Sequence, residues 1–217
     1  MATSFITRIK FRLWKLGLNL DPTQREWEKA WPLINSIEGF FTADQAKWLF
    51  RTARSLPDSS NLVEIGSFKG RSTCCLAFGC QRTRKQVFAI DPFDGGPDLP
   101  TRDSFQEFSQ NIARCGLSEH VQPFVGLSVE VAKTWTKPIQ LLFIDGSHRY
   151  EDVLADFDAF IPHVVPGGIV VFHDVNDDWP GVNRAWHEVI KHQLEDIGDC
   201  DTMAHGRKPA ARDAGLT

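Results

Sequence analysis

The sequence predicts an α/β protein built on a doubly wound, mostly parallel sheet, with an N-terminal helical extension over residues 1–36 and the main domain over 37–217. Three observations carry this. Short apolar runs alternate with stretches of helical periodicity, and the runs are continuous rather than alternating in polarity, as strands buried on both faces require. The residues just after the runs are glycines, acids, histidines and serines, the types that line a ligand site at the carboxyl ends of parallel strands.

Taken in order, Phe5, Ile6, Ile9, Leu13, Leu16 and Leu20 fall on one helical stripe, with Arg8, Lys10, Arg12 and Lys15 largely to one side. Residues 1–20 therefore carry +4 and the rest of the chain −8. This basic amphipathic segment is expected to pack on protein, most simply on a second copy of the chain, with Trp14, Trp27 and Trp31 as interface side chains. Thr42-Ala43-Asp44-Gln45 has the capping-box pattern, and Ala46, Leu49, Phe50, Ala53 and Leu56 follow at helical spacing until Pro57. Strands are expected at 62–65, 87–90, 121–125, 139–144 and 169–172. Helices are expected to begin near Arg71, Asp103, Ser128 and Tyr150. A further helix should run from Pro180 to about Asp196, and the tail from Gly198 should add at most one short strand.

Composition excludes several classes. With 42% hydrophobic and 24% charged residues over 217, the chain is neither disordered, collagen-like nor disulfide-dense. No window approaches the roughly 18 uncharged apolar residues of a membrane span. A net charge of −4 offers nucleic acid no general attraction. The five cysteines, at 74, 75, 80, 115 and 200, show no metal-ligand spacing and read as reduced, mostly buried thiols of a cytoplasmic protein.

The chemistry lies after the strands. Glu64-Ile65-Gly66-Ser67-Phe68-Lys69-Gly70 ends the first, and its glycines let the backbone turn sharply and approach a ligand. The loop is one residue too short for a nucleotide-triphosphate loop, with Arg71 where lysine belongs, and Phe68 stands where a dinucleotide fingerprint needs glycine. Asp91 ends the second strand, where an acid can accept ribose hydroxyls. Ser128, after the third, reads either as a neighbour of a base or as a plain helix cap. Asp145-Gly146-Ser147-His148 follows the fourth and His173-Asp174 the fifth, so that Asp145, His148, His173 and Asp174 converge on one rim. The stretches 94–102 and 176–181 read as lid loops.

These segments, together with Pro166-Gly167-Gly168 and Gly181-Val182-Asn183-Arg184-Ala185-Trp186, resemble the class I S-adenosylmethionine-dependent methyltransferases, in particular the small-molecule group with E-x-G-x-x-x-G and D-G-x-H-x-Y motifs. The resemblance covers roughly residues 37–190. It implies a Rossmann-like sheet of seven strands with the last antiparallel. It assigns Glu64, Gly66, Ser67, Phe68, Gly70 and Ser72 to the methionine part of the cofactor, Asp91 to the ribose and Ser128 to the adenine, with Asp145 also facing the cofactor.

Related methyltransferases hold a divalent metal, Mg or Mn, with an acid after the fourth strand and an acidic pair after the fifth. Asp145 and Asp174 match, whereas His173 replaces the first acid of the pair. Either a metal more tolerant of nitrogen sits there or none does. His148 is placed to take the proton from an acceptor hydroxyl, with Asp145 beside it. The expected function is methyl transfer to a hydroxyl of a small natural product, sugar or phenolic compound. Two rivals stay open: a metal-dependent hydroxylase-like enzyme using His148, His173 and Asp174, and a non-catalytic S-adenosylmethionine-binding domain docking through its basic N-terminal helix.

Overall fold

Which side chains reach the rim is decided by how the strands are ordered. A computed structural model describes residues 21–94 and 104–210. The basic segment with Trp14, the helix start near Asp103 and most of the first expected lid loop lie outside the described residues. The elements run α1 (Pro22–Asn35), α2 (Ala43–Ser55), β1 (Asn61–Ile65), α3 (Arg71–Cys80), β2 (Gln86–Asp91), α4 (Phe105–Arg114), β3 (Val121–Val125), α5 (Ser128–Ala132), β4 (Ile139–Ile144), α6 (Tyr150–Phe160), β5 (Val164–Phe172), α7 (Pro180–Glu188), β6 (Glu195–Cys200) and β7 (Met203–Arg207).

The seven strands pair in the order β3-β2-β1-β4-β5-β7-β6. Neighbours from β3 to β5 are parallel, and β7 runs antiparallel to both β5 and β6. Chain order reverses between β1 and β4, so the crevice outside their carboxyl ends is the switch point where such sheets bind ligands.

Both faces of the sheet are apolar, as the unbroken runs require. Leu62, Val87, Leu141, Phe143 and Val171 meet α1 to α4 on one face, and Val63, Phe88, Leu142, Ile144 and Phe172 meet α5 to α7 on the other. The capping box at Thr42 and Gln45 is formed in both directions, starting α2 where the sequence predicts. α1 starts at Pro22 behind Asp21, whose carboxylate accepts from Thr23 N at 3.0 Å. Its Trp27, Ala30 and Ile34 are buried in the main core.

Three expectations are corrected. Trp27 is a core residue, stacked on Trp31 and packed against Phe50. β3 is an edge strand, mostly exposed beyond Val121, so its apolar residues do not signal burial on both faces. The helix from Pro180 stops at Glu188; a short 3₁₀ turn buries Ile190, and Glu195–Cys200 forms β6. The tail thus supplies two strands. The acids of β6 are exposed along the sheet edge and leave no apolar pattern to read.

No helix among the described residues is long and apolar enough to cross a membrane. The five cysteines are free, four of them buried and Cys200 half-buried.

Candidate active site

β1 delivers its last polar side chain inward. Glu64 is fully buried behind the following loop, accepting from Ser67 Oγ at 3.0 Å and from the Thr73 hydroxyl. Burial outweighs the Ser72, Thr73 and Ser67 hydroxyls and pushes its carboxyl up to about 7. Gly66 turns the chain at φ 87°, and a Cβ there would lie 2.0 Å from the Asp145 carbonyl oxygen, so only glycine lets the loops after β1 and β4 touch. Phe68 is also left-handed, at φ 43°. The turn is pinned by Asp91, whose Oδ2 accepts from Ser67 N at 2.7 Å and Phe68 N at 2.8 Å, while Oδ1 accepts from Phe93 N. A carboxylate has about four acceptor positions, so Asp91 keeps capacity for a ligand hydroxyl.

After β3, Ser128 opens α5 without capping it and instead donates to Asp156 Oδ1 on α6. The cap reading of Ser128 is thereby corrected. Asp156 is 7% exposed, and burial lifts its carboxyl to about 6 against the Ser128 hydroxyl.

The ends of β4 and β5 carry a charge cluster. His173 Nδ1 lies 2.9 Å from Asp174 Oδ2 and 3.2 Å from Asp145 Oδ1, aligned as a hydrogen bond with neither. Its ring stacks on Phe41 at 4.5 Å and is 4% exposed. Burial opposes its charge, but the two carboxylates win and push the imidazole up to about 10. Asp174, at φ 60°, also meets His148 Nε2 at 3.2 Å. Against burial, the two histidines hold it well below the usual carboxylate range. Burial raises Asp145 in spite of His173. His148 stacks on Trp179 with centroids 3.6 Å apart.

A cavity of about 680 Å³ joins these parts, in the range of small-molecule sites. Of the residues the sequence singles out, Gly66, Ser67, Phe68, Ser72, Asp91 and Ser128 line one half, and Asp145, His148, His173 and Asp174 the other. Glu64 and Gly70 stand behind the wall: Glu64 holds loop hydroxyls, and Gly70 caps α3, where a Cβ would press the Phe108 ring at 3.0 Å. Asn176 begins the turn that leads to Trp179 at the rim.

Sequence reasoning missed Asp156, Phe41 and Trp179, all cavity residues. Asp152 and Asp156, four apart on α6, were a legible sign of a polar helix face turned toward the site. For Phe41 no sequence signal existed, since only the fold brings it against His173.

A model of the family described as methyltransferase domain matches residues 63–175, a span holding all ten of the cavity residues that the sequence singles out but neither Phe41 nor Trp179. The chain belongs to this family. An uncharacterized protein of Sinorhizobium fredii is 30% identical over 154 residues, covering 65% of this chain and 16% of that one. An uncharacterized protein of Acanthamoeba polyphaga mimivirus is 31% identical over 141 residues, covering 58% of this chain and 59% of that one. The methyltransferase chain thus spans less than two thirds of either curated relative. Among solved structures, cofactor-bound Rv0187 from MTB is 20% identical, with 91% of this chain and 94% of that one covered at a TM-score of 0.66. The O-methyltransferase from Bacillus cereus in complex with SAH is 18% identical, with 93% and 97% covered at 0.61. At such identities the likeness carries the fold.

Proposed function

We propose that this methyltransferase moves a methyl group from S-adenosylmethionine to a hydroxyl of a small molecule. The observation that carries the reading is the single cavity joining the Gly66 turn and Asp91 to the cluster of Asp145, His148, His173 and Asp174. The SAH-bound Bacillus cereus O-methyltransferase supports the cofactor and the oxygen acceptor. Family membership favours methyl transfer over hydroxylation on the same residues.

The cavity fits the cofactor: an acid lies at the ribose end, a half-buried hydroxyl and a buried carboxyl lie at the base end, and its volume is ample. When bound, S-adenosylmethionine supplies a methyl carbon made electrophilic by the sulfonium. The chain's part is alignment and proton removal. Gly66, Ser67, Phe68 and Ser72 hold the methionine end, with Glu64 fixing the Ser67 and Thr73 hydroxyls from behind. Asp91 takes the ribose hydroxyls and Ser128 lies at the base. At the other end the His148 imidazole takes the proton of the acceptor hydroxyl through Nδ1, its Nε2 being turned to Asp174. Asp174 orients the imidazole and stabilises its charge, and the Trp179 ring fixes its plane.

The donor set at His173 also fits a divalent ion. One atom each of Asp145, His173 and Asp174 lies within 4.8 Å of the others, and the buried His173 Nδ1 has no aligned hydrogen-bond partner. Two oxygens and one imidazole suit Mn better than Mg. An ion there would supply Lewis-acid activation of the acceptor. Calorimetric titration with Mn²⁺ should show one site that Asp174→Ala removes; equal binding by both proteins would discard this donor set.

Free, largely buried thiols support residence in the reducing cytoplasm. Assembly through residues 1–20 is read from their sequence pattern, and deleting them should change the sedimentation mass. The function itself is tested by calorimetry with S-adenosylmethionine and S-adenosylhomocysteine, then by a turnover screen over phenols and sugars. Micromolar binding and methylated product are expected; binding of neither ligand would refute the reading.

A further inference from the structure

The segment Gly181-Val182-Asn183-Arg184-Ala185-Trp186 stands out in the sequence, yet none of it lines the large cavity. Its apolar residues root α7: Val182, Ala185 and Trp186 are buried in the core, with the Trp186 ring 5.7 Å from that of Phe172 on β5. The first turn of the helix then lies directly on the loop after β4. A Cβ on Gly181 would run into the His148 carbonyl oxygen and stand 2.8 Å from Tyr150 N, so only glycine lets helix and loop touch. Two ring contacts flank this point. Trp179, just before the helix, stacks on the His148 ring at 3.6 Å, and the Arg184 guanidinium lies 4.6 Å from the centroid of the Tyr150 ring. Each is held in turn: Asn176 Oδ1 accepts from Trp179 N at 3.2 Å, and Glu188 accepts from Arg184 Nε at 3.3 Å.

We infer that the first turn of α7 is a clamp on the base, with Gly181 and Arg184 as positioning residues that act through His148. This rests on the reading of His148 as the group that takes the acceptor proton. Among the described residues, the backbone hydrogen bonds that join the end of β4 to β1 stop at Asp145 N, so His148 lies three residues past the support of the sheet. The bond from Nε2 to Asp174 fixes one edge of the imidazole, and the stack on Trp179 fixes its plane. Both depend on where the helix sets the loop. Trp179 leads into α7, Gly181 meets the backbone from His148 to Tyr150, and Arg184 covers the Tyr150 ring. Gly181 lies within the helix and needs no unusual φ, so alanine there acts through this contact alone. To go from 2.8 Å to ordinary contact at 3.4 Å, helix and loop must part by more than half an ångström, and displacements on that scale misalign a catalytic group.

The test follows the His148 ring directly, by NMR of full-length protein carrying labelled histidine at one fixed pH, with the signal assigned by its loss in His148→Ala. In the wild type the Trp179 ring should shift the His148 ring protons upfield. Gly181→Ala should move that signal back toward the position of an unstacked histidine. Turnover of the best acceptor from the phenol and sugar screen should fall by about 10- to 100-fold in kcat with little change in KM, while affinity for S-adenosylhomocysteine stays within about 2-fold. Arg184→Ala, whose side chain is 60% exposed, should fold normally and show a smaller loss of about 2- to 5-fold, as expected for one exposed cation–π contact, and Arg184→Lys should restore both signal and rate. An unmoved His148 signal in Gly181→Ala overturns the clamp and leaves the base reading standing. Should that variant not fold, an Arg184→Ala protein with wild-type signal and rate overturns it equally, as does a lowered melting temperature with signal and kcat unchanged. A signal that moves at constant turnover refutes His148 as the base, and the clamp's part in the reaction falls with it.

Discussion

The two halves of the cavity are made from different materials. On the side of β1 and β2 the contacts are mostly backbone: Gly66 lets two loops touch, and Asp91 gathers the amides of Ser67, Phe68 and Phe93. On the side of β4 and β5 the contacts are between side-chain charges, with His173 between Asp145 and Asp174, and Asp174 between His173 and His148. A backbone-built half resists change and holds a ligand of fixed shape. A half built from ion pairs can move protons. Under the proposed function, binding falls to the first half and chemistry to the second, and each variant below sharpens or breaks that division.

The largest effect is expected in the charged half. His148→Ala should lower turnover by roughly 10²- to 10⁴-fold, the usual worth of a positioned general base. Rates measured over a pH series should also lose their acidic limb, and an unchanged rate would remove His148 from the chemistry. Next comes the backbone half. Gly66→Ala drives a Cβ into the Asp145 carbonyl at an unfavourable φ and should cost about 3 to 5 kcal/mol in denaturant unfolding. A small loss would show that the two loops can separate.

Glu64 gives a third, pH-dependent test. Its folded value of about 7 lies above its ordinary 4.5, so its protonated form is favoured by folding. That stability is fully present below pH 4.5 and is lost as pH rises toward and past 7, by about 3 kcal/mol in all. Glu64→Gln should remove the slope. Unfolding curves at pH 5 and pH 8 should therefore show the wild type losing stability relative to the variant; parallel behaviour would mean Glu64 is ionised throughout.

The sequence made the backbone half legible because glycine spacing and strand ends are local signals: the turn at Gly66 and the acid at Asp91 stand where they were expected. It also placed Asp145, His148, His173 and Asp174 on one rim, since parallel strands end together. What it did not reveal depends on packing between distant elements. Phe41 reaches His173 only through the fold, Glu64 withdraws behind the wall because α3 brings Thr73 over it, and Ser128 turns to Asp156 because α6 lies alongside. β6 was invisible because an edge strand of acids needs no apolar face.

The division of labour is most directly measured by calorimetric titration of S-adenosylhomocysteine into wild-type, Asp91→Ala and His148→Ala proteins. Asp91→Ala should weaken binding by about 1 to 3 kcal/mol as a charged hydrogen-bond acceptor is lost, while His148→Ala stays within a few-fold of wild type. Unchanged affinity in Asp91→Ala, or a large loss in His148→Ala, would contradict the assignment of binding to one half of the cavity and chemistry to the other.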